Sequence, residues 1–289
     1  MTTFHTVAVG EVNIFYREAG SPASPTLLLL HGYPAASHSY QALMQSLEND
    51  FHLVAPDFPG FGHSDSPSHE TFAYSFDHLA EVTEQFLQML GLTRFSLYMH
   101  DYGAPIGLRI AVKHPEWIET LIVQNGNAYE EGLTAAFDPL RSYWKDRNPQ
   151  TQGPVEQLLT DQIVMFFYQQ GARQPDQINP DNYLLDEWNL RRPGNRAAQL
   201  DLFYDYRINL EHFSQWQAYF QQHQPPTLVA WGKNDPFFSI QGALAYQRDL
   251  KTIETHLLDT GHFALEEEGD FIAELIRRFI PRYVKAVRS

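Results

Sequence analysis

Three side chains, Asp101, Asp235 and His262, stand at spacings where chemistry can be done. In "LYMHDYGAPIG", residues 97 to 107, Leu97 to Met99 reads as the end of a buried strand and Gly103 to Arg109 as the start of a helix. The turn between them presents Asp101, and Gly103, Ala104 and Gly107 leave room for so abrupt a break. Asp235 in "WGKNDPFF" and His262 in "DTGHF" also follow expected strands. In an open α/β sheet the carboxyl ends of the strands share one crevice, so these three converge although they are far apart in the chain. Taken singly, each has a plainer reading: an aspartate after a strand caps a helix, and a Gly-His pair makes a turn. Taken together, their order is nucleophile, acid, histidine.

The residue type at position 101 selects the reaction. A serine there would suit acyl transfer, because its acyl ester is resolved by water. A carboxylate suits displacement at an sp³ carbon that bears a leaving group, and the product is an ester whose carbonyl belongs to the protein. His262 can then activate water against that carbonyl, with Asp235 fixing the imidazole tautomer and stabilising the imidazolium.

The elements that must hold these groups can be read along the chain. Residues 5 to 17 form a strand pair about Gly10, and the apolar run "TLLLLHG" at 26 to 32 is a buried strand. "FHLVAPD" repeats that pattern and leads into the loop "FPGFGHSDSP". Helical spacing covers 76 to 90 and ends at Gly91. Then come strand "FSLYMHD", a helix to about 114 and strand "IETLIVQNG". Strands alternating with helices imply a parallel sheet. After this the rhythm changes: residues 127–224 are rich in Tyr, Trp, Phe, Gln and Arg and read as helices, a long insertion of the kind that carries function. It resumes with "PPTLVAWGKNDPFF", a helix at about 240 to 249, "IETHLLDTGHF" and a last amphipathic helix from about 268. The expected organisation is a sheet core from residues 1–126 and 225–289 with a helical lid at 127–224.

Composition bounds the partners. The 289 residues, 43% of them hydrophobic, suffice for a sizeable core. A net charge of −15 opposes binding to nucleic acid or an anionic membrane surface and leaves a small neutral substrate as the easier ligand. With no cysteine there is no catalytic thiol and no thiolate metal site. The start "MTTFHTVAVGEV" lacks a signal-peptide pattern and no run approaches a membrane span of ~20 apolar residues, so the expected location is the cytoplasm. The thirteen histidines offer no HxxxH or HxH pair with a supporting carboxylate, and no phosphate-cradling glycine motif is present, so neither metal nor cofactor is expected. Oligomeric state, monomer or homodimer, stays open.

The chain resembles the α/β-hydrolase superfamily, and within it the epoxide hydrolase and haloalkane dehalogenase branch. The resemblance rests on "HGYP" at 31 to 34, "DFPGFGHSD" at 57 to 65, "HDYG" at 100 to 103, the position of the lid, "GKNDPFF" and "GHF". It implies an α/β-hydrolase fold, a mostly parallel central sheet flanked by helices, and an aspartate nucleophile. The backbone N–H groups of Tyr102 and Tyr33 would then hold the oxyanion. His31 would support that oxyanion loop beside Pro34, and His100 would orient the turn at Asp101. Asp65 would tie its loop rather than react.

The leaving group separates the sister activities. The resemblance to dehalogenases implies a Trp after the nucleophile and a polar residue in "HGNP", where this chain has Tyr102 and Tyr33. Fluoroacetate dehalogenases resemble one another in arginines after the nucleophile, where Tyr102 and Pro105 stand. An epoxide oxygen instead needs a hydrogen-bond donor as the ring opens, and the branch places lid tyrosines over the nucleophile. "YDYRINL" matches the second of these and makes Tyr206 the first choice. Tyr143 in "RSYWKD" is the expected partner, with Tyr168 and Tyr204 competing. Trp144, Phe166, Phe167 and Trp188 read as lid core or as the wall of a pocket for a small hydrophobic substrate and water. The expectation is a hydrolase that opens an epoxide to a vicinal diol without a cofactor. Haloalkane dehalogenation by the same nucleophile and a ligand-binding member without turnover are the alternatives, and ester or lactone hydrolysis is disfavoured by the carboxylate.

Overall fold

The computed structural model describes residues 1–284. Eight strands form a single sheet: β1 (Thr3–Val9), β2 (Val12–Ala19), β3 (Thr26–Leu30), β4 (His52–Pro56), β5 (Phe95–His100), β6 (Ile118–Gln124), β7 (Thr227–Gly232) and β8 (Ile253–Leu258). Their order across the sheet is β1-β2-β4-β3-β5-β6-β7-β8. The first pair turns at Gly10, whose φ of +57° suits glycine, and β2 runs antiparallel to β4. All remaining neighbours are parallel. This is the mostly parallel α/β-hydrolase sheet flanked by helices.

The central strands are apolar on both faces because helices cover both. Leu28 and Leu30 of β3 and Leu97 and Met99 of β5 enter one core, together with Phe86 of α2 (Phe76–Met89) and Ile106 of α3 (Gly103–Lys113). Leu27, Leu29 and Tyr98 point the other way, toward Leu43 and Leu47 of α1 (Gln41–Leu47) and Ile272 and Ile276 of α10 (Leu265–Phe279). Each of these fully buried leucines contributes about 2 kcal/mol. The sheet is thereby clamped on both sides, and the loops at its carboxyl edge inherit its rigidity.

Local signals set the helix ends. Ser75 caps α2 by accepting from the His78 N–H at 3.2 Å. Gly91, at φ +69°, follows the last turn. The final helix starts at Leu265, three residues before the expected position, and Glu268 inside it departs from helical geometry (φ −118°, ψ 20°). The amphipathic pattern begins after that kink.

Between β6 and β7 the described chain forms helices and loops without a strand: α4 (Asp138–Lys145), α5 (Pro149–Glu156), α6 (Asp161–Gln169), α7 (Pro180–Leu190) and α8 (Asn195–His223). Along the 29 residues of α8, Leu202, Phe203, Tyr206, Phe213, Trp216 and Phe220 recur at helical spacing and are buried. That stripe packs toward α3 and carries Tyr206 to the carboxyl edge of the sheet. The helix α9 (Ile240–Asp249) follows β7. Among the described residues, no helix is long and apolar enough to cross a membrane.

Candidate active site

Asp101 directly follows β5, Asp235 follows β7 and His262 follows β8, so all three stand at the carboxyl ends of parallel strands. His262 Nδ1 lies 2.8 Å from Asp235 Oδ2, and its Nε2 faces Asp101 Oδ2 at 3.9 Å. Among the described residues Nε2 has no hydrogen-bond partner, and the imidazole is fully buried. The contact with the carboxylate assigns the proton on Nδ1 and leaves Nε2 as an acceptor.

The backbone at Asp101 is in the left-handed region, with φ +49°, a conformation that costs a non-glycine residue about 1–2 kcal/mol. Close packing offsets that cost and makes two glycines necessary. A Cβ on Gly32 would meet the Asp101 Cβ at 2.2 Å, and one on Gly103 would meet the Leu30 carbonyl oxygen at 2.1 Å. The turn therefore presses against β3, and Asp101 Oδ1 accepts the Tyr33 N–H at 2.6 Å. The Tyr102 N–H, one residue on, also favours the ionised form of this carboxylate. Two backbone donors on one side chain form the arrangement that holds an oxyanion.

Buried histidines brace this frame. His31 donates from Nδ1 to the Gly32 carbonyl at 3.1 Å and accepts the Phe58 N–H at Nε2, also at 3.1 Å. Burial lowers its pKa, consistent with the neutral ring that this pairing requires. Pro34, buried, continues the loop through a cis peptide bond with Tyr33. His100 Nε2 donates to the His262 carbonyl at 3.2 Å, and Gln124 Nε2 donates to the same oxygen at 3.3 Å. His262 is thus gripped by its backbone as well as by Asp235.

Electrostatics divide the labour. Burial pushes the Asp101 carboxyl up to about 6, against the opposing effects of His262 and the two backbone N–H groups. Burial alone would lower His262, but the charge and hydrogen bond of Asp235, joined by the charge of Asp101, raise it on balance. Esterifying Asp101 would remove one of those charges and so ease His262 toward its neutral form.

Above Asp101 is a cavity walled by Phe137, Leu140, Leu158, Phe167, Phe203 and Phe237. Its polar side chains are Asp101 and the tyrosines Tyr33, Tyr102 and Tyr206. Neither a tryptophan nor a cationic side chain lines it among the described residues. Such a site accepts a small apolar molecule with one oxygen or comparable acceptor.

Residues 25–269 match the family described as alpha/beta hydrolase fold. The chain belongs to this family. As an α/β hydrolase, it is 40% identical over 278 residues to an uncharacterized hydrolase of Saccharomyces cerevisiae, covering 94% of this chain and 95% of the relative. It is 37% identical over 277 residues to Epoxide hydrolase 4 of Mus musculus, covering 92% and 75%. Among solved structures, haloalkane dehalogenase DbeA from Bradyrhizobium elkani superposes with a TM-score of 0.78 at 18% identity, covering 98% of this chain and 99% of that one. This last likeness speaks to fold.

The structure of this α/β hydrolase distributes the sequence candidates unequally. Tyr206 lines the cavity, and its ring lies parallel to Trp144 at 6.0 Å. Trp144 itself is outside the wall and donates its Nε1–H to the Phe203 carbonyl at 2.7 Å. Tyr143 is not brought to the cavity: its hydroxyl reaches Gln152 Oε1 at 3.4 Å and its ring lies under the Arg147 guanidinium. Tyr168 donates to Asp186 at 2.6 Å, and Tyr204 is stacked beneath Arg207, so neither competitor lines the cavity.

One positioning residue escaped the sequence reading. Asn125, just past β6 with φ +43°, donates to Asp235 Oδ2 at 2.7 Å and to the Gly232 carbonyl at 3.2 Å. Its Oδ1 accepts the Gly232 N–H at 2.9 Å. Asp235 Oδ1 meanwhile accepts the N–H groups of Phe237 and Phe238 at 2.7 and 3.1 Å. The available signal was a polar side chain in "QNGN", immediately after a buried strand at the same edge of the sheet.

Proposed function

We propose that this hydrolase opens epoxides to vicinal diols through a covalent ester on Asp101, with residues 127–224 acting as its lid and the cytoplasm as its setting. The observation that carries the reading is a carboxylate bonded by the Tyr33 N–H, with the Tyr102 N–H following it in the chain, beneath an apolar cavity that Tyr206 also lines. Burial, and then the Asp101 charge, raise the Tyr206 phenol well above its ordinary pKa, so it stays a donor.

The steps balance with these groups. Asp101 Oδ2 attacks a ring carbon, the C–O bond breaks toward oxygen, and Tyr206 gives the emerging alkoxide its proton. His262 Nε2 then takes a proton from water, whose hydroxide adds to the Asp101 carbonyl carbon while the Tyr33 and Tyr102 N–H groups hold the oxyanion. Collapse expels the second alkoxide, which takes the proton from the imidazolium. The regenerated Asp101 carboxyl returns its proton to Tyr206.

The same carboxylate could displace a halide, and the likeness in fold to a haloalkane dehalogenase keeps that reaction in the test. Assay of diol from aryl and alkyl epoxides beside halide release from bromoalkanes, in wild type and Asp101→Asn, separates the two. Diol formation that disappears in the variant supports the proposal. Halide release without diol moves the reaction to dehalogenation, and undiminished diol in Asp101→Asn, after excluding deamidation, contradicts it.

A further inference from the structure

Three tyrosines line the cavity, and their hydroxyls differ in what they already bond. Tyr33 donates to the Leu158 carbonyl at 2.7 Å and so is committed to the lid. Tyr206 makes no side-chain hydrogen bond among the described residues. The Tyr102 hydroxyl is buried and likewise without a partner. A buried phenol left unpaired is costly in a folded protein, and such groups call for an explanation in function or in a ligand.

Position adds to this. Tyr102 follows Asp101 directly, stands just before the first residue of α3 and is only 3% exposed. Its ring centre lies 6.1 Å from that of Tyr206 and 4.8 Å from that of Phe76, which holds it edge-on. The two unpartnered tyrosines thus both line the cavity with neighbouring rings, one from the sheet core and one from α8. Tyr143, the partner expected from sequence, has its hydroxyl near Gln152 and is outside the wall.

We propose that the Tyr102 hydroxyl is the second donor to the epoxide oxygen, sharing it with Tyr206, so that the donor pair spans core and lid. This rests on the epoxide-opening reading above. As Asp101 Oδ2 bonds to carbon and the ring C–O bond breaks, negative charge collects on the ring oxygen. Tyr206 transfers its proton there, and Tyr102 donates a hydrogen bond without losing its own. The side chain of Tyr102 thus acts in ester formation, whereas its backbone N–H acts in ester hydrolysis.

That division supplies the test, in which Tyr102→Phe removes the hydroxyl and keeps ring and backbone. In a His262→Gln background, intact-protein mass spectrometry after rapid quench gives the rate at which styrene oxide esterifies the enzyme. The expected result is ester formation slowed about a hundredfold by Tyr102→Phe. Ester hydrolysis in the His262-bearing enzyme should be unchanged, and the melting temperature should hold or rise, since the lost hydroxyl bonds nothing and its burial is costly. Adding Tyr206→Phe should abolish ester formation. An undiminished rate of esterification in Tyr102→Phe overturns the donor role while the ester itself upholds the reaction. Equal slowing of both steps assigns Tyr102 to structure and also overturns it. Absence of any ester in the parent variant overturns the reaction and the donor pair together.

Discussion

Asp235 Oδ2 accepts from His262 Nδ1 at 2.8 Å and from Asn125 Nδ2 at 2.7 Å, so one carboxylate oxygen is shared between the imidazole and an amide that fixes its own position. The carboxylate can orient the ring only because Asn125 and two backbone N–H groups already orient the carboxylate.

Replacement of Asp235 by Asn should therefore separate the two halves of the reaction. Asp101 remains free to form an ester, but His262 loses the partner that sets its tautomer and supports its positive charge. Ester hydrolysis should fall by roughly three to four orders of magnitude. Mass spectrometry during turnover should show the ester accumulating, and a variant that turned over without accumulation would place the base elsewhere.

The pH profile of ester formation should follow Asp101. Its carboxyl, raised to about 6 by burial, must be ionised to attack, so the single-turnover rate should rise with pH through that region and then level. Ester hydrolysis needs neutral His262, whose pKa is raised in the free enzyme, so that step too should weaken in acid. Rapid-quench rates across pH read the two limbs apart. An ester-formation rate insensitive to pH near 6 would remove the carboxylate from the attacking role.

The two tyrosines named from sequence should behave differently. Tyr206→Phe takes a donor from the cavity and should lower kcat/KM by about a hundredfold. Tyr143→Phe alters a hydroxyl that faces Gln152 and should leave kcat/KM near wild type. The reverse ranking in steady-state kinetics would make Tyr143 the donor.

A stability prediction comes from a carboxyl outside the reaction. Asp186 is fully buried, accepts from Tyr168 at 2.6 Å and lies with Oδ1 3.3 Å from His38 Nε2. Burial raises its pKa well above the ordinary carboxylate range. The folded protein thus keeps a proton that the unfolded chain releases, and stability falls as pH rises from that range toward the folded-state value. Asp186→Asn preserves shape and hydrogen bonding without that dependence. Its melting temperature should exceed that of wild type at pH 8, with the difference shrinking toward pH 5. A variant less stable at both values would show the carboxylate to be favourable.

Much of the fold was legible in the sequence because the sheet reads as continuous apolar runs, and the candidate site residues directly follow them. Asp101, Asp235 and His262 needed only the rule that parallel strands end at one edge. Other features depend on facing and register. Helix α1 is seven residues long and gives too little periodicity to stand out. Asn125 acts across β6 and β7, whose pairing places it beside Asp235. The sequence ranks Tyr206 ahead of Tyr143 on "YDYRINL", but both stand on helices of the insertion, and only packing decides that one meets Arg147 and the other the cavity. Tyr102 reads as a replacement at a halide-binding position, whereas the structure presents it as an unpartnered hydroxyl.

The central claim is that Asp101 becomes an ester, and the source of the diol oxygen tests it most directly. A single turnover with excess enzyme in heavy-oxygen water should yield diol free of the isotope and leave the label in the peptide that contains Asp101, because water attacks the carboxyl carbon. Label in the diol from that first turnover, with none in the Asp101 peptide, would mean that water attacks the epoxide itself and would contradict the account.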